Sequence, residues 1–353
     1  MKVWMDIITP KQVLFLGSLA KHLEYKGFSL YLTTRNFKET LELADLKGLK
    51  LESVGKHGGG SLIEKLRQSC LRASKLSGRV YDEGVDLAVS FSSVEAARVA
   101  FGLSIPHICI SDSPHSEAVS RLTIPLSSTL YTPWIIPKEA WTHYGIRGDQ
   151  IFHYRALDPA AWLKGFKPDP SVLDELGLSG RPVVVFRPEE EQASYMMTVR
   201  EESPIPMVLK QLIKTGLPAE LVVLPRYREQ RLRYIKAFKG KVRVPERIVD
   251  GASLLSYSAA FVGAGGTMTC EAALLGVPTL SCYPLEPTIV ERFLAEKGLI
   301  MRSLDPGRIV EFIVEALRDE SLAAASKSKA RPLLESMEDP ADSISEAIEA
   351  YAA

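Results

Sequence analysis

Two rhythms of apolar residues alternate along this chain. Short unbroken apolar blocks are followed by longer stretches in which apolar residues return every three or four positions. The first rhythm marks strands buried on both faces, and the second marks amphipathic helices. Val3–Ile7 reads as a strand and Gln12–Lys26 as a helix, with Val13, Leu16, Leu19 and Leu23 on one face and Gly27 ending it. The alternation continues with strands at Ser29–Thr33 and Lys50–Val54 and a helix from Ser61 to about Val80. A strand at Asp86–Ser90, a helix at Val94–Phe101, and strands at Ile105–Ile110 and Thr129–Thr132 follow. Strand, helix, strand in this order implies parallel pairing through right-handed crossovers.

The pattern breaks at Asp158–Pro170, where Pro159, Gly165, Pro168 and Pro170 crowd together and predict a linker. It then restarts with Pro182–Phe186, a helix near Pro206–Thr215, a strand at Glu220–Leu224, a helix at Arg228–Phe238 and a short strand at Val242–Val244. Strands at Ala259–Val262 and Thr279–Cys282 bracket another helix, and Pro306–Leu317 is a further one. Pro340–Tyr351 is predicted as a closing helix with Asp339 at its cap and Pro340 in its first turn. The fold class expected is α/β, with two facing Rossmann-like domains at 1–165 and 166–338. Residues 339–353 form a helix that crosses back to the first domain. A length of 353 residues suits two cores better than one.

Composition narrows this picture by exclusion. Lys plus Arg and Asp plus Glu number 43 each, so no net charge is available for binding nucleic acid in bulk. Cys70, Cys109, Cys270 and Cys282 show neither zinc nor disulfide spacing, so no metal site is expected and a reducing compartment suits the chain. No apolar run approaches the ~18–20 residues of a membrane span. The expectation is a cytoplasmic protein with at most peripheral membrane contact. Lys65, Arg67, Arg72, Lys75 and Arg79 read as the solvated face of one helix, or as a surface for anionic lipid headgroups.

The most informative stretch is Phe261–Tyr283, where a β-type run ends at Val262 and Gly263, Gly265 and Gly266 lead into a helix near Thr267. Glycines there allow a tight turn and close approach of backbone to a ligand. The helix start offers unpaired N–H groups and a positive dipole end, which suit phosphate oxygens. Thr267 and Thr269 add hydroxyls, and Glu271, one turn in, can accept from the two hydroxyls of a ribose. The alternative reading is an ordinary strand–helix junction with Thr267 as its cap.

In open parallel sheets ligands sit beyond the carboxyl ends of the strands, so the other loops there matter too. Lys11 follows the first strand, either as part of a solvated turn capped by Thr9 or as a phosphate or acceptor contact. His57, Gly58, Gly59 and Gly60 follow the third, as an anion nest or as an entry loop capped by Ser61. Asp112 and His115 follow the fifth, as a turn or as a general-base pair in which the carboxylate raises the imidazole toward neutrality. Arg187 follows the first strand of the second half, forking onto a diphosphate or pairing with Glu189–Glu191. Asp250-Gly251 presents backbone groups to a base, or caps a helix.

The Gly-Gly-Thr helix start, Glu271, the Gly276–Pro278 ending and the strand after it resemble the donor site of GT-B glycosyltransferases. They resemble equally that of UDP-N-acetylglucosamine 2-epimerases. The resemblance implies a diphosphate held by Gly265, Gly266 and Thr267 and a ribose held by Glu271. Nearly the whole chain resembles an uncharacterised, largely archaeal family of this fold, through Asp6, His57–Gly58, Arg187–Glu189 and the glycine loop. The epimerases carry an acidic residue after the strand matching Asp86–Ser90, where this chain has Ser90-Phe91-Ser92-Ser93. In Ser111–Ser116, which replaces a second acidic stretch, Asp112 alone is a carboxylate, although Glu117 and Arg121 keep an epimerase-like spacing. The resemblance therefore implies a metal-independent, nucleotide-sugar-dependent glycosyltransferase-like protein with its ligand between the domains. Asp112, His115 and His57 are its catalytic candidates. A UDP-linked sugar is then substrate, no separate cofactor is needed, and no nucleic-acid partner is expected. The alternatives are a UDP-N-acetylhexosamine 2-epimerase and a non-catalytic nucleotide-sugar binder.

Overall fold

The computed structural model describes residues 1–178, 180–192 and 203–352. It divides into two compact units, Met1–Trp162 with Met337–Ala353, and Leu163–Ser336. In the first unit, strands β1 (Lys2–Asp6), β2 (Ser29–Asn36), β3 (Glu52–Lys56), β4 (Leu87–Phe91), β5 (His107–Ile110), β6 (Thr129–Pro133) and β7 (Ile151–Tyr154) form a seven-stranded sheet. Its order is β3-β2-β1-β4-β5-β6-β7, and every pairing is parallel. Helices must then cover both faces, so Val3, Trp4 and Met5 in the central strand are all fully buried. The chain order reverses between β1 and β4, and the loops after those two strands open at that switch point.

In the second unit, β8 (Val183–Arg187), β9 (Glu220–Val223), β10 (Ser258–Gly263), β11 (Thr279–Ser281) and β12 (Met301–Arg302) form a parallel sheet. The order is β12-β11-β10-β8-β9, whose reversal falls between β8 and β10. One face packs Phe186, Leu209 and Ile313, and the other packs Val185, Leu254 and Phe261. These are the two α/β units with parallel sheets that the alternating pattern predicts.

Several elements differ from the sequence expectation, each for a physical reason. The stretch from Asp158 is not an open linker at its start: Asp158, Ala160 and Ala161 are buried, and a turn of helix spans Ala160–Leu163. A buried charge pair holds that turn, which proline counting does not register. Val242–Val244 contributes only a single bridge, Val222 to Arg243, because its edge position leaves it one partner strand. Lys38–Leu46 and Glu320–Ser336 are helices left unassigned by periodicity, the latter carrying Pro332 inside it. The closing helix, Pro340–Ala352, packs on the helix Pro10–Tyr25, with Ala341, Ile344 and Ile348 fully buried. Asp339 caps it as expected, its Oδ1 accepting from the Ala341 N–H at 2.9 Å.

Candidate functional site

The second unit places its chemistry at the switch point. Gly263 lies beside Arg187 in the β8–β10 register, so the glycine loop and the end of β8 are neighbours. Gly265 (φ +81°) and Gly266 (φ +87°) both adopt the left-handed backbone that side chains resist. Gly265 lies against the Tyr283 ring, where a Cβ would come within 2.8 Å of Cδ2. Gly266 is exposed, and it is Gly266 rather than Thr267 that occupies the cap, with no side-chain hydrogen bond to the first turn. The helix Thr267–Leu274 thus begins without a side-chain cap, and its Thr269 N–H reaches back to the Gly266 carbonyl at 3.2 Å. Thr269 is 2% exposed and its Oγ1 has no hydrogen-bond partner, while Glu271 is buried.

Arg187 ends β8 just before the acidic run Glu189–Glu191. Its Nη1 donates to the carbonyls of Leu224 at 2.9 Å and Pro225 at 3.1 Å, tying the end of β8 to the end of β9. Within that run Glu190 pairs with Arg226 at 3.7 Å and Glu191 with Arg233. Arg226 is the residue that sequence reasoning missed. Its Nε donates to the Pro188 carbonyl at 3.1 Å, and its Nη2 sits 3.5 Å from the place a Cβ on Gly266 would take. The signal was present, since Arg226 lies three residues beyond the end of a strand of a parallel sheet. Asp250 is a helix cap, accepting from the Ser253 N–H.

The first unit gathers three groups that lie far apart in sequence. Lys11, in the first turn of the helix after β1, places its Nζ 2.6 Å from Asp112 and 2.5 Å from Asp158, with the Phe91 ring 4.3 Å away. Tyr154 donates to Asp158 at 2.5 Å and Ser113 to Asp112 at 2.7 Å. Burial alone would lower the Lys11 ammonium, but the two carboxylates outweigh it and raise its pKa. Burial raises Asp158, and the neighbouring Asp112 adds to that against the pull of Lys11, so Asp158 holds its proton more tightly than an ordinary carboxyl. Asp112 goes the other way, because Lys11 overcomes its burial. Lys11 is therefore an internal counter-ion rather than an open phosphate contact. Thr9 does cap its helix, accepting from the Gln12 N–H.

His115 corrects a second expectation. Burial lowers its pKa, and the attraction of Asp112 does not reverse this, so the imidazole is neutral at neutral pH rather than raised toward it. His57 is pushed down to about 4 by burial and by the charges of Arg35 and Lys65. Its Nδ1 accepts from the Gly59 N–H at 3.1 Å, so the loop spends one of its own amides on itself. Gly58 lets the loop touch the following helix, since a Cβ there would lie 2.5 Å from the Lys65 Cα. Ser61 stands at the cap of that helix without a capping hydrogen bond. Arg72 is no part of a solvated basic face: it is 1% exposed, with Nη1 and Nη2 donating to Asp6 at 2.9 and 2.5 Å. Thr33 and Ser93 also donate to Asp6, so the turn after β4 supplies hydroxyls and no carboxylate.

These features define a class, a doubly wound two-unit α/β protein with a glycine-rich helix start at a switch point. The chain belongs to the family described as "Protein of unknown function (DUF354)", whose model matches residues 1–353. It is 31% identical over 319 residues to an uncharacterised protein of Methanocaldococcus jannaschii, covering 89% of this chain and 91% of that relative. Among solved structures, the UDP-GlcNAc 2-epimerase of Neisseria meningitidis bound to UDP-GlcNAc is similar, with a TM-score of 0.73 at 16% identity over 99% of each chain. A spinosyn forosaminyltransferase is similar at a TM-score of 0.65 and 17% identity over the full length of both. At such identities the likeness is one of fold, and it is the GT-B-type fold expected from the sequence. Among the described residues, no helix is long and apolar enough to cross a membrane.

Proposed function

We propose that this protein binds a nucleoside-diphosphate sugar on the glycine loop of its second unit and transfers the sugar to a hydroxyl acceptor without a metal. The observation that carries the reading is the loop Gly263–Gly266. Two left-handed glycines, the first backed by Tyr283, open a helix N-terminus at the switch point, with the Arg226 guanidinium beside the second. Amide donors, a positive helix end and a guanidinium together suit the charge that grows on a departing diphosphate. Glu271 takes the ribose, and the buried Thr269 hydroxyl is a donor awaiting an acceptor. His115, held neutral by burial, accepts the proton of the acceptor hydroxyl, with Asp112 beside it stabilising the imidazolium that forms.

The turn after β4 favours transfer over epimerisation. Abstracting a proton from carbon needs a positioned strong base, and Ser93 here is spent on Asp6 and on the Ala96 N–H. The test is calorimetry with UDP followed by NMR of UDP-N-acetylglucosamine in heavy water, with and without a chelator. UDP should bind, and Arg226→Ala and Glu271→Gln should each weaken it by roughly 1.5–3 kcal/mol, the worth of a charged hydrogen bond. Slow release of UDP and free sugar, indifferent to chelator and reduced in His115→Ala, is the expected reaction in the absence of an acceptor. Deuterium entering C2 overturns transfer in favour of epimerisation. Failure to bind any nucleotide overturns the whole reading.

A further inference from the structure

Arg35 stands one residue before the end of β2, and β3 runs beside it. Asn36 is paired with Lys56, and the His57 N–H donates to the Asn36 carbonyl at 3.2 Å. Both strands thus deliver their last residues to the edge of the sheet where ligands gather. The Phe37 ring is shared there. His57 packs on it with ring centroids 4.7 Å apart, and Arg35 Cζ lies 5.9 Å from its centroid. Arg35 Nε is buried without a hydrogen-bond partner, and among the described residues no carboxylate pairs with this guanidinium. The nearby carboxylates are committed elsewhere. Asp6 accepts from Arg72, Thr33 and Ser93, and Glu95 stands 3.7 Å from Arg72. Burial lowers the Arg35 pKa; Glu95 and Asp6 pull it back while Arg72 opposes them, so the chain does not make good the burial of this charge.

His57 adds a second donor. Its Nδ1 accepts from the Gly59 N–H, so the neutral ring carries its proton on Nε2. The charges that press on it, Arg35 and Lys65, are both positive, and Gly58 packs the loop against the Lys65 backbone. Donors and cations meet here with no acceptor of their own. We propose that the first unit holds an oxyanion, phosphate or carboxylate, on the Arg35 guanidinium and the His57 Nε2–H. The planar fork of Arg35 matches two oxygens of such a group, and the anion supplies the counter-charge that the chain withholds. His57 is then a binding residue, not a base: its one lone pair is taken by Gly59. On the transfer reading, the oxyanion belongs to the acceptor, a hydroxyl compound that carries phosphate or carboxylate. That assignment to the acceptor rests on the proposed function, whereas the oxyanion site does not.

The test uses the full chain, with inorganic phosphate and acetate titrated separately while NMR follows the imidazole protons. A His57→Ala variant identifies the His57 signal. Saturation should raise the His57 titration from about 4 toward the ordinary value of about 6.5, because a bound anion favours the imidazolium. A response to phosphate alone marks a phosphate site, and one to acetate alone a carboxylate site. Arg35→Met should weaken the response about 10-fold or more, the worth of a charged hydrogen bond. Arg226→Ala, which alters the glycine loop of the second unit, should leave it in place. The urea transition of Arg35→Met, followed by tryptophan fluorescence, should be unchanged or raised, since an uncompensated charge is removed. A lowered transition would make Arg35 a structural partner of Glu95 and overturn the site. So would a His57 signal that neither anion moves in a chain that still binds UDP. A chain whose His57 responds while UDP fails to bind keeps this site and loses only the nucleotide-sugar reading.

Discussion

His107 shows how one buried side chain sets a condition on the whole first unit. It is 1% exposed between Ser90, 2.9 Å from its Nε2, and Ser127, 3.0 Å from its Nδ1. Burial pushes its pKa down to about 4, against about 6.5 in an unfolded chain. Between those values the unfolded chain binds the extra proton. The stability contributed by the neutral ring is therefore complete above pH 6.5 and falls as the pH drops toward 4. From pH 7 to pH 5 the loss amounts to about 2 kcal/mol. All four tryptophans, Trp4, Trp134, Trp141 and Trp162, belong to this unit, so their fluorescence in urea isolates it. The loss between the two pH values should be about 2 kcal/mol smaller in His107→Gln than in the parent. Equal losses would place the acid sensitivity elsewhere, in carboxylates such as Asp6. The Asp6–Arg72 pair bears on acid too, because protonating Asp6 leaves a guanidinium buried without its counter-charge.

Among the elements, those whose order comes from local sequence were legible and those held by distant partners were not. Val3–Ile7, Arg228–Phe238 and the strand before the glycine loop stand almost where periodicity puts them, since both faces of each are decided by near neighbours. The helix Glu320–Ser336 escaped because it is ordered by packing on the helix Thr267–Leu274, some 50 residues back. Gly276 is the point of contact. It sits at φ +74°, and a Cβ there would lie 2.7 Å from the Lys327 Cα, on backbone that cannot swing aside. Gly276→Ala should cost the second unit about 2–4 kcal/mol, adding left-handed strain to overpacking. Calorimetry should show the second unit's transition lowered while the tryptophan transition stays. An unmoved transition would mean that the two helices separate freely. At the candidate site the same division holds. Glycines and the strand-end Arg187 announce themselves by type and position, whereas Arg226 above Gly266, and Asp158 paired with Lys11, depend on which strand ends become neighbours.

At the scale of the whole molecule, the second unit is an insertion within the first. The chain leaves the first unit at Trp162 and returns at Met337. Removing residues 337–353 takes Ala341, Ile344, Ile348 and Met337 out of a fully folded core. Each large aliphatic lost leaves a cavity worth roughly 2–5 kcal/mol. Truncation should therefore abolish the cooperative tryptophan transition and leave a calorimetric transition for the second unit. A truncated chain that keeps both would show that the closing helix is dispensable. The same connectivity imposes an order of events during synthesis. Residues 163–336 are contiguous and can close their core as soon as they clear the ribosome. The first unit, although it is begun sooner, must wait with its helix Pro10–Tyr25 incompletely covered until the helix Pro340–Ala352 emerges. In a cell, the unit whose synthesis starts sooner is thus completed after the one nested inside it, and that interval is when a chaperone would meet it.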